Sequence, residues 1–147
     1  KKLVERLKKS LMLSTKMSAK PESKLWKALR DGITDIHWVR IESWSSVGVP
    51  DVNGCAEFGE FWIELKIIKN KRVVLSPHQI AWHITRSRHG GRSFILAREA
   101  ARTPLILFSG EKAKDLADLK MDEIPQIVEI PHPYDWGRLR KALEKGR

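Results

Sequence analysis

Leu3, Leu7 and Leu11 recur every fourth residue among lysines, a pattern that predicts an amphipathic helix over residues 2–16. Lys20-Pro21 opens a second helix, with Pro21 near its first position, Leu25, Trp26 and Leu29 as its apolar stripe and Gly32 at its end. The chain then changes period. Ile36 to Ile41 alternates and reads as a strand, with His37 and Arg40 marking it as an edge. Ser43 to Pro50 is a Ser/Gly/Pro loop, and Asp51 to Cys55 is a short strand that turns at Glu57–Glu60, with Gly59 at the bend. Phe61 to Ile68 is apolar at nearly every position, as a central strand covered on both faces should be. A basic turn, Lys69 to Arg72, leads to Val73–Leu75, which is expected to pair back as a short strand.

Ser76-Pro77-His78-Gln79 starts a helix, with Ser76 as N-cap, Pro77 at N1 and Gln79 at the capping-box position. It should run to about His89 and stop at Gly90-Gly91. Arg92–Ala97 and Leu105–Phe108 are two further strands, followed by a short polar helix at 111–119, a rigid Pro131-His132-Pro133 link and a helix from Trp136 to Leu143. Helix, three strands, helix and two strands together predict an α/β fold with a central mixed β-sheet flanked by helices.

Composition narrows what such a fold would do. A chain of 147 residues suits a single domain, and its formal charge is +10. Residues 1–20 carry seven Lys/Arg against Glu5 alone, and no acid occurs between Leu65 and Arg98. Acid returns at 111–129, with six Asp/Glu against three Lys. A field this one-sided attracts a polyanion, with nucleic acid the first expectation and a solubilising surface, or docking to anionic lipid or an acidic protein, the alternatives. Cys55 is the only cysteine, which removes a disulfide framework and a thiolate metal site. No apolar run approaches the ~18 residues of a membrane span, so an intracellular setting without membrane contact is expected: cytoplasm or nucleoid, or host cytoplasm if the chain is viral.

Two acids stand out against this charge. Pro50-Asp51 is followed thirteen positions later by Glu64-Leu65-Lys66. Glu64 interrupts the most apolar strand, where a carboxylate is costly unless something binds it. The strand period puts Glu64 and Lys66 on one face, and antiparallel pairing across the Ala56–Glu60 turn would bring Asp51 beside Glu64. One residue of slip would place the acids on opposite faces. Carboxylate oxygens are hard ligands for Mg²⁺ or Mn²⁺, and a cation so held can activate water and neutralise a phosphodiester transition state. Lys66 would position the water or scissile phosphate electrostatically. Plainer readings stand beside these: a Pro-Asp turn for Asp51, and a solvated ion pair for Glu64 and Lys66. Glu22 is either a third acid or a first-turn glutamate serving its own helix. Gln79 either caps its helix or also reaches Glu64 and Lys66.

Gly48-Val49-Pro50-Asp51, Ile63-Glu64-Leu65-Lys66 and Leu75-Ser76-Pro77-His78-Gln79 together resemble the PD-(D/E)xK nuclease superfamily. Within it, they are most similar to stand-alone virus-type VRR-NUC nucleases, with Holliday-junction resolvases as structural cousins. The resemblance covers about residues 20–110, leaving the helical segment 1–17 and the extension 111–147 unexplained. It implies a restriction-endonuclease-like core in a single 1–147 nuclease domain, with Mg²⁺ (or Mn²⁺ in its place) held by Asp51, Glu64 and the Leu65 carbonyl. Lys66 would assist catalysis, Gln79 would support it, and Glu22 would match an acid many members place on the first helix. Leu65 stands where ordinary VRR-NUC members favour valine, but only its backbone would act. The implied activity is a homodimeric endonuclease cutting branched DNA such as Holliday junctions. A non-catalytic structured-DNA-binding module and a nicking or restriction-like endonuclease on linear duplex are the alternatives.

Lys69, Lys71, Arg72, Arg86, Arg88 and Arg92 are the expected DNA contacts, grouped near the site and at the helix end before Gly90-Gly91. A solvated helix end explains any one of them. The five histidines lack metal-ligand spacing and read as surface or packing residues. Trp26, Trp38, Trp62 and Trp82 fit core positions, whereas Trp44, in the loop before Asp51, either packs in the core or stacks against a base or caps the pocket.

Overall fold

The computed structural model describes residues 1–8, 20–42 and 47–146. Residues 9–16 of the expected first helix, and Trp44 with the rest of 43–46, lie outside them. Residues 2–8 are helical (α1) and exposed throughout. The later elements are α2 (Pro21–Gly32), β1 (His37–Arg40), β2 (Val52–Ala56), β3 (Gly59–Ile67), α3 (Pro77–Arg88), β4 (Ser93–Arg98), β5 (Leu105–Ser109), α4 (Ala113–Asp118), β6 (Val128–Ile130) and α5 (Trp136–Lys145).

The strands form one six-stranded sheet in chain order, antiparallel at every junction except β3–β4, which is parallel. Parallel neighbours need a crossover, and α3 supplies it. The sheet is therefore mixed and carries helices on both faces, as the sequence pattern predicts. The two-residue period divides the core. Phe61, Ile63, Leu65, Phe94, Leu96, Leu105 and Leu107 pack under α2 and α5, while Ile95, Ala97, Ile106 and Phe108 pack toward α3 and α4. Phe61 sits at the middle of the first layer, edge-on to Trp38 and Phe94 and stacked on Phe58. Gly54 is required there, because a Cβ would enter the Phe61 ring.

Three local expectations are corrected. Residues 73–75 form no strand, because β3 is already paired with β2 on one side and β4 on the other; Val73 and Leu75 bury their side chains in the second layer instead. The β2–β3 turn has two residues, Glu57 and Phe58, with Gly59 (φ 120°) beginning β3 rather than forming the bend. β6 is an unanticipated edge strand: three residues between prolines, one of them an exposed glutamate, carry too little alternation to announce one. Residues beyond 110 complete the core, since Ile130, Leu139 and Leu143 are buried in the α2/α5 layer.

Candidate active site

The β2–β3 ladder sets the first relationship in the site. Val52 pairs with Ile63, so Asp51, one residue before the strand, falls opposite Glu64. The tight turn leaves no slack for the other register. Asp51 is held from both sides: its carbonyl accepts from the Ile41 amide (2.7 Å), and its Oδ2 accepts from the Leu65 amide (2.8 Å). The approach to Asp51 is fixed by Gly48, whose φ of 89° suits glycine and whose absent Cβ lets the His78 carbonyl lie against it.

Trp62, Glu64 and Lys66 then follow in a row on the α3 face of β3. Glu64 is only 2 % exposed. Its Oε1 accepts from Gln79 Nε2 (2.7 Å), and Lys66 Nζ stands 3.9 Å from the same oxygen. Lys66 Nζ instead donates to Gln79 Oε1 (3.0 Å), which also accepts from the Ser76 amide (2.9 Å) in the helix capping box. Gln79 thus does both things the sequence left open. It caps α3, and it links the acid to the base.

Burial, the Asp51 carboxylate and, more weakly, Glu22 push Glu64 up to about 9 from 4.5, with Lys66 pulling the other way. Two carboxylates can hydrogen-bond only by sharing a proton. When both are ionised, Glu64 Oε2 is buried with no donor among the described residues. A hard divalent cation would satisfy that oxygen, and the oxygens of Asp51 and Glu64 suit Mg²⁺ or Mn²⁺ in type and charge. Among the described residues no three His, Cys, Asp or Glu side chains converge as a complete metal cluster. Further ligands would have to come from the backbone, such as the Leu65 carbonyl, from water or from phosphate. Glu22, half-buried in the first turn of α2, is near enough to act on Glu64 electrostatically, but forms no hydrogen bond or ion pair within the set.

The six basic candidates separate. Lys69, Lys71 and Arg72 are exposed on a tight turn at the end of β3, where Asn70 and Lys71 both take positive φ and Lys69 and Arg72 exchange backbone hydrogen bonds. Arg88 is exposed at the end of α3. Arg86 lies over the Trp82 ring (4.6 Å to the centroid) and beside Trp62 (5.7 Å). Arg92 turns to the end of α5, donating to the carbonyls of Leu143, Glu144 and Gly146 and packing on Phe58 and Phe94. That is favourable for a cation at a helix C-terminus.

Sequence reasoning placed Trp62 and Trp82 in the core. They are half-buried, meet edge-on at 5.5 Å, and with Arg86 lie beside an open groove of about 610 Å³ lined by Val47, His78, Trp82, Thr85, Arg86 and His89. The signal was available: Trp62 precedes Glu64 by one strand period, so it shares the polar face. His83 is fully buried, its Nδ1 3.0 Å from Ser93 Oγ, and burial together with the Lys66 charge lowers it to about 4.

No protein-family profile matches the chain, and no curated protein matches it in sequence. Among solved structures, the chain is similar to Hjc, a Holliday junction resolvase from the archaeal hyperthermophile Archaeoglobus fulgidus, with a TM-score of 0.47 and 18 % identity over 62 % of this chain and 75 % of that one. No helix among the described residues is long and apolar enough to cross a membrane.

Proposed function

We propose that the protein is a Mg²⁺-dependent endonuclease hydrolysing DNA phosphodiester bonds, with Asp51, Glu64 and the Leu65 carbonyl as metal ligands. The observation that carries this reading is the buried Glu64 carboxylate, opposite Asp51 by strand register and with one oxygen lacking a donor among the described residues. A structural ion pair would not need it, since replacing such a pair by apolar groups is often neutral or favourable.

The bound cation would lower the pKa of water and offset charge at the phosphorus. The chain's own residues do the rest. Gln79 fixes the Glu64 carboxylate and holds Lys66 Nζ 3.0 Å from its own amide oxygen, so the ammonium stays in the site without collapsing onto the acid. Lys66, 15 % exposed, offers its remaining protons to a phosphate oxygen or the attacking water. The Lys69–Arg72 turn and Arg88 supply phosphate contacts that position DNA without reading sequence. The preference for branched DNA and the homodimer rest on the motif resemblance alone.

Clean protein incubated with Mg²⁺ and matched four-way, flap and linear substrates provides the test. Cleavage should be abolished by Asp51→Asn and Glu64→Gln with DNA binding retained. Absence of cleavage of every substrate, with both variants binding DNA as the parent does, would favour the non-catalytic DNA-binding module. Cutting of linear duplex at one sequence would remove the junction preference, and a monomer on DNA would remove the paired-site arrangement.

A further inference from the structure

The face of the sheet away from Glu64 holds a second buried charge, and this one is positive. Arg98 ends β4, paired with Ile67, whereas its neighbour Ala97 pairs with Lys66. Its side chain therefore projects to the α2/α5 side. Arg98 is 5 % exposed. Among the described residues it makes a single side-chain hydrogen bond, a 3.3 Å donation from one terminal nitrogen to the Tyr134 hydroxyl. Among the described residues its Nε has no acceptor, and no carboxylate pairs with it. The Tyr134 hydroxyl gives its own proton to the Thr103 carbonyl (2.6 Å), so it can serve Arg98 only as a neutral acceptor. A guanidinium cannot escape its charge by deprotonation, and a buried unpaired charge is strongly unfavourable.

An open cavity of about 550 Å³ is lined by Arg98 together with Arg102, His132, Tyr134 and Trp136, and by the C-terminal end of α2. Arg102 holds a φ of 69°, an uncommon conformation for a residue with a side chain. His132, Tyr134 and Trp136 form an edge-to-face series at 5.1 and 5.4 Å. The one carboxylate at the rim, Asp31, is mostly exposed and pairs with Arg30 at 3.3 Å. An oxyanion would complete Arg98, yet fills only a fraction of the volume; the aromatic wall suits a ring carried on that anion.

We propose that this cavity is a phosphate-binding site for a nucleotide, with Arg98 and Arg102 on the phosphate and the His132–Trp136 wall against the base or sugar. Guanidinium groups match phosphate in charge and fork geometry, and aromatic rings accept nucleobases without sequence preference. The phosphate can belong to a free mononucleotide or to a polynucleotide strand. The site lies across the sheet from Glu64 and does not depend on that carboxylate being catalytic.

The test is made on full-length protein in EDTA, where cleavage plays no part, by following the Arg98 Nε–H resonance and the melting temperature. Probes are inorganic phosphate, dTMP and a short single-stranded oligonucleotide without a terminal phosphate, each against NaCl of equal ionic strength. Expected is a saturable movement of the Arg98 resonance with dTMP at least threefold tighter than phosphate, and a melting rise of roughly 3–6 °C at dTMP tenfold above its Kd. Arg98→Met should lose that rise and melt no lower than the parent in ligand-free buffer. A stronger response to the oligonucleotide than to dTMP identifies the strand as the source, and the reverse identifies a free nucleotide. The proposal is overturned if the resonance is unmoved by all three probes or moves equally in NaCl, or if Arg98→Met keeps the melting rise. It also fails if Asp31→Asn shifts the resonance without ligand, since Asp31 would then be the partner.

Discussion

Glu64 and Lys66 share one face of β3 and are joined through a third residue: Gln79 donates to the acid and accepts from the base. Replacing Gln79 by leucine would remove the only hydrogen-bond donor that Glu64 has among the described residues and free Lys66 to close on it. Cleavage should fall about 10–100-fold, with the Mg²⁺ concentration for half-maximal rate rising, as expected when a ligand's supporting contact is removed. The lost capping contact should cost about 1 kcal/mol in denaturant unfolding. Unchanged Mg²⁺ dependence would leave Gln79 as a cap only.

Glu64 makes the metal-free protein sensitive to pH in an unusual direction. Its carboxyl is raised from 4.5 to about 9 in the folded state, so the folded protein holds a proton that the unfolded chain releases. Stability should therefore decline as pH rises across that window. In EDTA, Glu64→Gln should out-melt the parent at pH 8, and the gap should narrow toward pH 5. Mg²⁺ should stabilise the parent and leave the variant unmoved. Parallel melting curves for the two proteins would sink this account.

His83 acts in the opposite sense. Burial, reinforced by Lys66, lowers it from 6.5 to about 4, so the unfolded chain binds a proton that the folded one refuses. Stability from this group is complete above pH 6.5 and is lost as pH falls toward 4. The two effects overlap, so the measurement belongs in the Glu64→Gln background. There, denaturant midpoints should drop from pH 7 to pH 5, and His83→Gln should flatten the drop.

Gly48→Ala should strain the approach to Asp51. The φ of 89° and the His78 carbonyl both oppose a Cβ, for a cost of about 1–3 kcal/mol. Because the strain falls three residues from Asp51, Mg²⁺ affinity should weaken as well. A loss of stability with Mg²⁺ affinity intact would show that the turn serves folding alone.

Much of this was legible before any coordinates. The apolar run around Glu64 marks a central strand, the Ser76–Gln79 signature marks the helix that follows, and period two puts Glu64 and Lys66 together. Local chemistry dictates all three. The link from Gln79 to both charges was readable only as one of two options, because a capping glutamine looks the same in sequence whichever way its amide points. Arg92 shows the limit most clearly. Beside Arg86 and Arg88 it reads as one more phosphate contact, and only the return of α5, over fifty residues later, supplies the carbonyls it binds. Val73–Leu75 misled for a related reason: strand propensity is local, but a free sheet edge is a property of the whole fold.

The two-residue turn between Ala56 and Gly59 also says what the interval from Asp51 to Glu64 means. An extra residue at Glu57–Phe58 would lengthen that interval and leave both acids on the same rung of the ladder. An extra residue inside β2, or in β3 before Glu64, would lengthen it by the same one residue, yet send one acid to the far side of the sheet. Thirteen is thus incidental to the chemistry. Chains with longer hairpin tips can carry the same pair of acids, and others with the right count can lack it, so kinship at this site is measured in rungs.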